Sequence, residues 1–218
     1  MACYATNHIV SNLLVMGAPL SLVRNEATRG LALARSVGFD EVIQILQLQD
    51  SFANSLKTGA SANSDLLEIA TSNKSSQMSP LIFWGHLYEG IAAFYSGDLH
   101  HAAQSFTEAE PWLWTTPAHI HVADIHFYAA MTDRLLGRVT LDEVHHAAVS
   151  GFAKQNSATF QNKLDLINAE TARLEGRTID ALRLYEQSID RAKEAEFSHE
   201  LALAHERAGR MSLEVGLV

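Results

Sequence analysis

The sequence predicts an all-α fold of stacked antiparallel helical hairpins. Three observations carry that expectation: apolar residues recur at spacings of three and four, six glycines fall at near-equal intervals, and β-type alternation is absent. Leu164, Ile167, Ala169, Ala172 and Leu174 mark one stripe; Ala181, Leu184, Tyr185, Ile189 and Ala192 mark the next. Such spacings place side chains on one helix face. Gly17, Gly59, Gly97, Gly137, Gly176 and Gly216 are separated by 42, 38, 40, 39 and 40 residues. A glycine accepts the positive φ that ends a helix. Two helices of about 15–18 residues with their turns consume about 40 residues, so the interval describes one hairpin.

The 218 residues are 47% hydrophobic, enough to bury a sizeable core. With 25 acidic against 16 basic residues, the formal net charge is -9, which argues against a general nucleic-acid binder. Cys3 is the single cysteine, so no intrachain disulfide forms. These features fit a cytoplasmic protein. No run approaches the roughly 20 apolar residues of a membrane span. The opening apolar run, Ile9 to Leu22, is interrupted by Ser11, Asn12, Gly17 and Pro19, and it lacks the basic leader of a signal peptide. Ser61 to Ser79, rich in Ser, Asn and Thr, is the one stretch whose composition leans toward disorder.

The clearest repeats are expected over 83–115 and 162–197. Gly90 precedes Gly97 by seven residues, as Ala169 precedes Gly176 and Gly209 precedes Gly216. A small residue there lets the neighbouring helix approach. Beyond the turn, Ala102, Phe106 and Ala109 match Ala181, Tyr185 and Ser188 in offset. Small residues thus fall at crossings, with an aromatic ring between helices, which is how a solenoid packs. Thr178 and Asp180 are both candidate caps for the helix after Gly176. A terminal half-hairpin is expected over 201–218, with its helix from Leu201 to Glu214. Because that hairpin lacks a second helix and the start falls inside an apolar run, the expectation is a single array, 1–218, cut from a longer protein.

Two segments, LYEGIAAFYSGDLHHAAQSFTEAE and INAETARLEGRTIDALRLYEQSIDRAKEAEF, resemble tetratricopeptide repeats through Gly90, Ala102, Phe106 and Ala109 and through Ala169, Ala181, Tyr185 and Ser188. The resemblance implies a right-handed superhelix of antiparallel hairpins. The period departs from the usual 34 residues, and the first-helix aromatic is replaced by His86 and Asp165. More broadly, RGLALARSVGFDEV, PWLWTTPAHIHVADIHFYAAM and AEFSHELALAHERAGR look like the helical-repeat segment of large bacterial multidomain signalling proteins. In that family, protein-kinase-like and AAA-type or related ATPase domains precede the segment, and sensory and histidine-kinase domains often follow. The resemblance therefore implies a noncatalytic docking and regulatory module whose partners are those flanking domains. A small-ligand sensor using the concave face is the alternative. A fragment with uncovered helix ends is also expected to form a weak homodimer.

Candidate chemistry is sparse. Eleven histidines include His100, His101, His119, His121, His126, His145 and His146. On a continuous helix His119 and His121 point about 200° apart, whereas a metal needs three or four convergent ligands. The expectation is no metal and no cofactor. HELALAHERAG imitates a zinc-protease helix, but Leu203 and Gly209 stand where the second histidine belongs, so Glu200 and Glu206 read as solvated. No phosphate-binding loop or nucleophile elbow occurs. Asp98, Glu108 and Glu110 sit where turns and helix dipoles account for them. The aromatic centre holds Trp84, Tyr88, Phe94, Tyr95, Phe106, Trp112, Trp114, Phe127 and Tyr128. Most belong to the core. Pro111 is expected to end one helix and Pro117 to sit in the first turn of the next. Trp112 and Trp114, in the connection, are the candidate partner contacts.

Overall fold

The computed structural model describes residues 2–59, 65–71, 79–117, 119–138 and 143–217. Within them the chain is all-α, with eleven helices and no strand. The helices are α1 (Ala2–Val15), α2 (Leu20–Ser36), α3 (Asp40–Thr58), α4 (Asp65–Thr71), α5 (Ser79–Ser96), α6 (Leu99–Ala109), α7 (His121–Leu135), α8 (Glu143–Gln155), α9 (Ser157–Leu174), α10 (Thr178–Glu194) and α11 (Ser198–Glu214), with a 3₁₀ turn at Glu110–Thr115. Of the polar passage Ser61 to Ser79, residues 61–64 and 72–78 lie outside the described residues, and 65–71 forms α4. No described helix is long and apolar enough to cross a membrane.

One backbone device ends most helices. Gly17, Gly59, Gly97, Gly137, Gly176 and Gly216 all have positive φ, as does Gly38, between α2 and α3. At Gly97 the amide donates to Phe94 O (3.1 Å) and the Asp98 amide to Ala93 O (3.0 Å); at Gly176 the equivalent bonds reach Arg173 O (3.1 Å) and Ala172 O (2.8 Å). This is the Schellman pairing, which satisfies the last carbonyls of the helix. Glu196, at φ 59° without being a glycine, makes the same turn, its amide donating to Lys193 O and the Phe197 amide to Ala192 O. A Cβ added to Gly176 meets nothing within 4 Å, so only its φ of 73° opposes substitution. Gly176→Ala is therefore expected to cost about 1–2 kcal/mol in urea denaturation, with Gly176→Asn costing less.

Residues 1–122 and 123–218 form two compact units. In the first, consecutive helices pack in sequence, and α1, α3 and α5 also touch in turn. Val10, Val23, Ala27, Ala34, Val42, Leu46, Ala53 and the free thiol Cys3 form its first core cluster. The α5–α6 hairpin closes on Gly90, where an added Cβ would lie 2.5–2.9 Å from the Phe106 ring. Ala102, Phe106 and Ala109 are buried beside it. Asp98 caps α6 by accepting from the His101 amide (3.1 Å).

In the second unit α9 packs against α8, α10 and α11. Ala169, Ala181 and Tyr185 are buried, and Ser188 Oγ donates across to Asn162 O (2.8 Å). Several expectations need correction here. Neither Thr178 nor Asp180 caps α10. Arg177 occupies that position without a side-chain cap and instead donates to Asp180 Oδ2 at 3.0 Å. The last helix starts at Ser198, three residues before Leu201. Gly209 lies on an exposed face with nothing within 4 Å of an added Cβ, so no close crossing uses it.

Candidate functional site

The connection after α6 presents the largest exposed aromatic ring. Pro111 enters the first turn of the 3₁₀ segment Glu110–Thr115, where its missing N–H leaves no bond unmade. That segment lies against α5 and α6. Thr115 Oγ1 donates to Trp112 O (2.6 Å), and Trp112 is half-buried, whereas Trp114 is 72% exposed. Tyr95, one of the rings of the aromatic centre, is 41% exposed and meets Phe94 edge-on at 5.5 Å. Pro117 precedes α7 instead of lying in its first turn, because α7 starts only at His121.

That late start changes the histidine geometry. His119 sits before the helix, its amide bonded to Thr116 O (3.1 Å), so the 200° argument does not apply. The rings of His119 and His121 lie 6.0 Å apart, and Trp84 is 5.5 Å from the first and 5.8 Å from the second. His8 of α1 stacks on His119 at 5.7 Å. Tyr88, itself stacked on Phe52, places its hydroxyl 3.1 Å from His121 Nε2. Burial, reinforced by His119 and His8, pushes the His121 imidazole down to about 3. Among the described residues no set of three potential ligands is placed to hold a metal ion.

A pH dependence follows. The unfolded imidazole takes a proton near 6.5 while folded His121 stays neutral down to about 3. The unfolded state therefore binds more protons in that window, and stability falls as pH drops through it. His126, pushed down to about 4 by burial and then by His145, acts in the same direction. His121→Phe should flatten the decline in melting temperature between about pH 7 and about pH 5. An unchanged slope would show that the ring is freely protonated when folded.

The chain matches no family model, no curated protein and no solved structure.

Residues 123–218 hold a buried charge network that the sequence reading missed. Glu170 is fully buried and accepts from Arg207 Nε (2.6 Å), Arg173 Nε (2.9 Å) and the Tyr185 hydroxyl (2.8 Å). Glu200, expected in solvent, is 4% exposed and accepts from Lys163 Nζ and Asn162 Nδ2. Phe127 and Phe197 flank that lysine at 5.7 and 5.3 Å. Glu206 is exposed and accepts from Arg210 (2.8 Å). The half-buried Asp124 carboxyl is pushed up to about 7, by burial first, against the pull of Lys163 and with Glu200 adding to it.

His86 and Asp165 pair with charged side chains across their hairpins. His86 Nδ1 lies 3.3 Å from Glu108, and Asp165 accepts from Arg191 at 2.7 Å. These polar contacts join neighbouring helices.

Proposed function

We propose that the chain is a noncatalytic, cytoplasmic docking and regulatory module of a bacterial signal-transduction protein. Its hairpins belong to the tetratricopeptide-like class, a right-handed superhelix with a period near 40 residues. The glycine turns at Gly97, Gly137, Gly176 and Gly216 support that reading, as does the Gly90–Phe106 crossing. The partner is a protein surface, supplied by a kinase, ATPase or sensory domain, and neither nucleic acid nor a membrane.

The single observation that carries the reading is Trp114. Its ring is 72% exposed on a short turn braced by two helices, so little entropy is lost when a partner covers it. Trp114→Ala should leave helicity and melting temperature unchanged. It should also abolish the hydrogen-exchange protection that Glu110–Thr115 gain when the chain is mixed with the neighbouring kinase-like or ATPase domain. No gain of protection in the unmodified chain would overturn the docking role. A metabolite that saturably protects only the concave face instead would favour ligand sensing, and turnover by the chain would sink both readings.

A further inference from the structure

We propose that His8, His119, His121 and Trp84 form a binding site for a carboxylate ion within residues 1–122. Four other observations converge on this. First, the rings of Trp84, His119 and His121 form a near-equilateral triangle with sides of 5.5, 5.8 and 6.0 Å. Second, Trp84 Nε1, His121 Nδ1 and Thr116 Oγ1 are all buried and have no hydrogen-bond partner among the described residues. The indole N–H can only donate. Tyr88 Oη and His121 Nε2 lie 3.1 Å apart, so His121 Nδ1 donates or accepts according to the ring's tautomer.

Third, these imidazoles lack the carboxylate partner that three other histidines possess. His86 lies beside Glu108 (3.3 Å), His101 beside Glu89 (3.0 Å) and His199 beside Glu200 (3.5 Å). His8, His119 and His121 face one another with no carboxylate in ion-pair range among the described residues. Fourth, the group opens to solvent at one side, because His8 is exposed and His119 half-buried over a buried floor. The unmatched Trp84 N–H and Thr116 hydroxyl, with no acid beside these imidazoles among the described residues, call for a ligand with acceptor oxygens. A proton taken up by His119 on binding favours a carboxylate over a neutral carbonyl or a cation.

Proton linkage gives the site a signature. The titratable groups facing His119 are His8 from α1 and His121 from α7, while Trp84 from α5 carries no titratable group. Burial and His8 hold the His119 imidazole below its ordinary range. A bound carboxylate favours its protonated form, so binding draws in a proton and strengthens as pH falls. The inference goes beyond the docking role and does not rest on it, since Trp114 takes no part.

The test is a titration of the ¹⁵N-labelled chain with propionate and, separately, with propionamide. The expected result is a saturable shift of the Trp84 indole N–H with propionate only. Affinity should be about tenfold higher near pH 6 than near pH 8, and His119→Gln should remove that difference while leaving the fold intact. A peptide with a free C-terminal carboxylate, compared with its amidated form, identifies the source of the anion. Tighter binding than propionate marks a chain terminus, and equal binding marks a free small acid. No saturable shift, or equal binding of propionamide, overturns the proposal, and docking through Trp114 would stand unaffected.

Discussion

Glu170→Ala is expected to destabilise residues 123–218 by about 3–5 kcal/mol. The carboxylate is wholly buried between α9, α10 and α11, and three donors depend on it: Arg207, Arg173 and the Tyr185 hydroxyl. Burial is the largest single influence and pushes the carboxyl up, but the two guanidinium groups and the phenol together hold it below the ordinary carboxylate range. Removing it strands the Arg207 charge, which is only 10% exposed. Because the folded pKa is depressed, the stabilisation is present above the unfolded value of 4.5 and lost as pH falls through the folded one. Urea denaturation near neutral pH measures the loss. Replacing Glu170 and Arg207 together by leucine should recover only part of it, since the stranded Arg207 charge is gone but Arg173 Nε and the buried Tyr185 hydroxyl still lose their acceptor. A Glu170→Ala loss below about 1 kcal/mol would mean that water reaches the site and the network is dispensable.

That network also marks where the sequence stops being legible. Helix ends were readable because a glycine at positive φ is a local requirement, visible wherever an amphipathic run stops. The α5–α6 packing was readable for a similar reason: Gly90, Ala102 and Phe106 belong to neighbouring helices joined by a short turn. Glu170 and Glu200 look like solvent-facing acids because nothing within one helical turn explains their burial. Their partners Arg207 and Lys163 stand 37 residues away, and only the stacking of α11 on α9 brings them together. The histidine–tryptophan cluster was hidden by a boundary. Continuing α7 back through His119 separates the two imidazoles, whereas its actual start at His121 lets both rings meet Trp84. Gly30 and Gly85 were passed over for the opposite reason. A glycine inside a helix reads as a weak position, yet an added Cβ would sit 2.9 Å from Leu46 at the first and 2.8 Å from Ala70 at the second.

The same distinction between a glycine that makes room and one that does not yields the second large effect. Phe106→Ala should cost about 3–5 kcal/mol, because its ring is buried against α5 and the cavity left behind cannot fully collapse. Gly90→Ala in the unmodified chain should also destabilise, by about 1–3 kcal/mol, since the new methyl group meets that ring at 2.5–2.9 Å. Helix propensity alone predicts the reverse, a gain of about 1 kcal/mol. In the Phe106→Ala background the obstruction is gone, so Gly90→Ala should change sign and become stabilising. Gly209→Ala supplies the reference, because nothing lies within 4 Å of the added methyl group and only propensity acts. Chemical denaturation of the four chains in the cycle, with Gly209→Ala beside them, gives the coupling directly. Equal gains from Gly90→Ala and Gly209→Ala in the unmodified chain would show that α5 and α6 do not cross at Gly90.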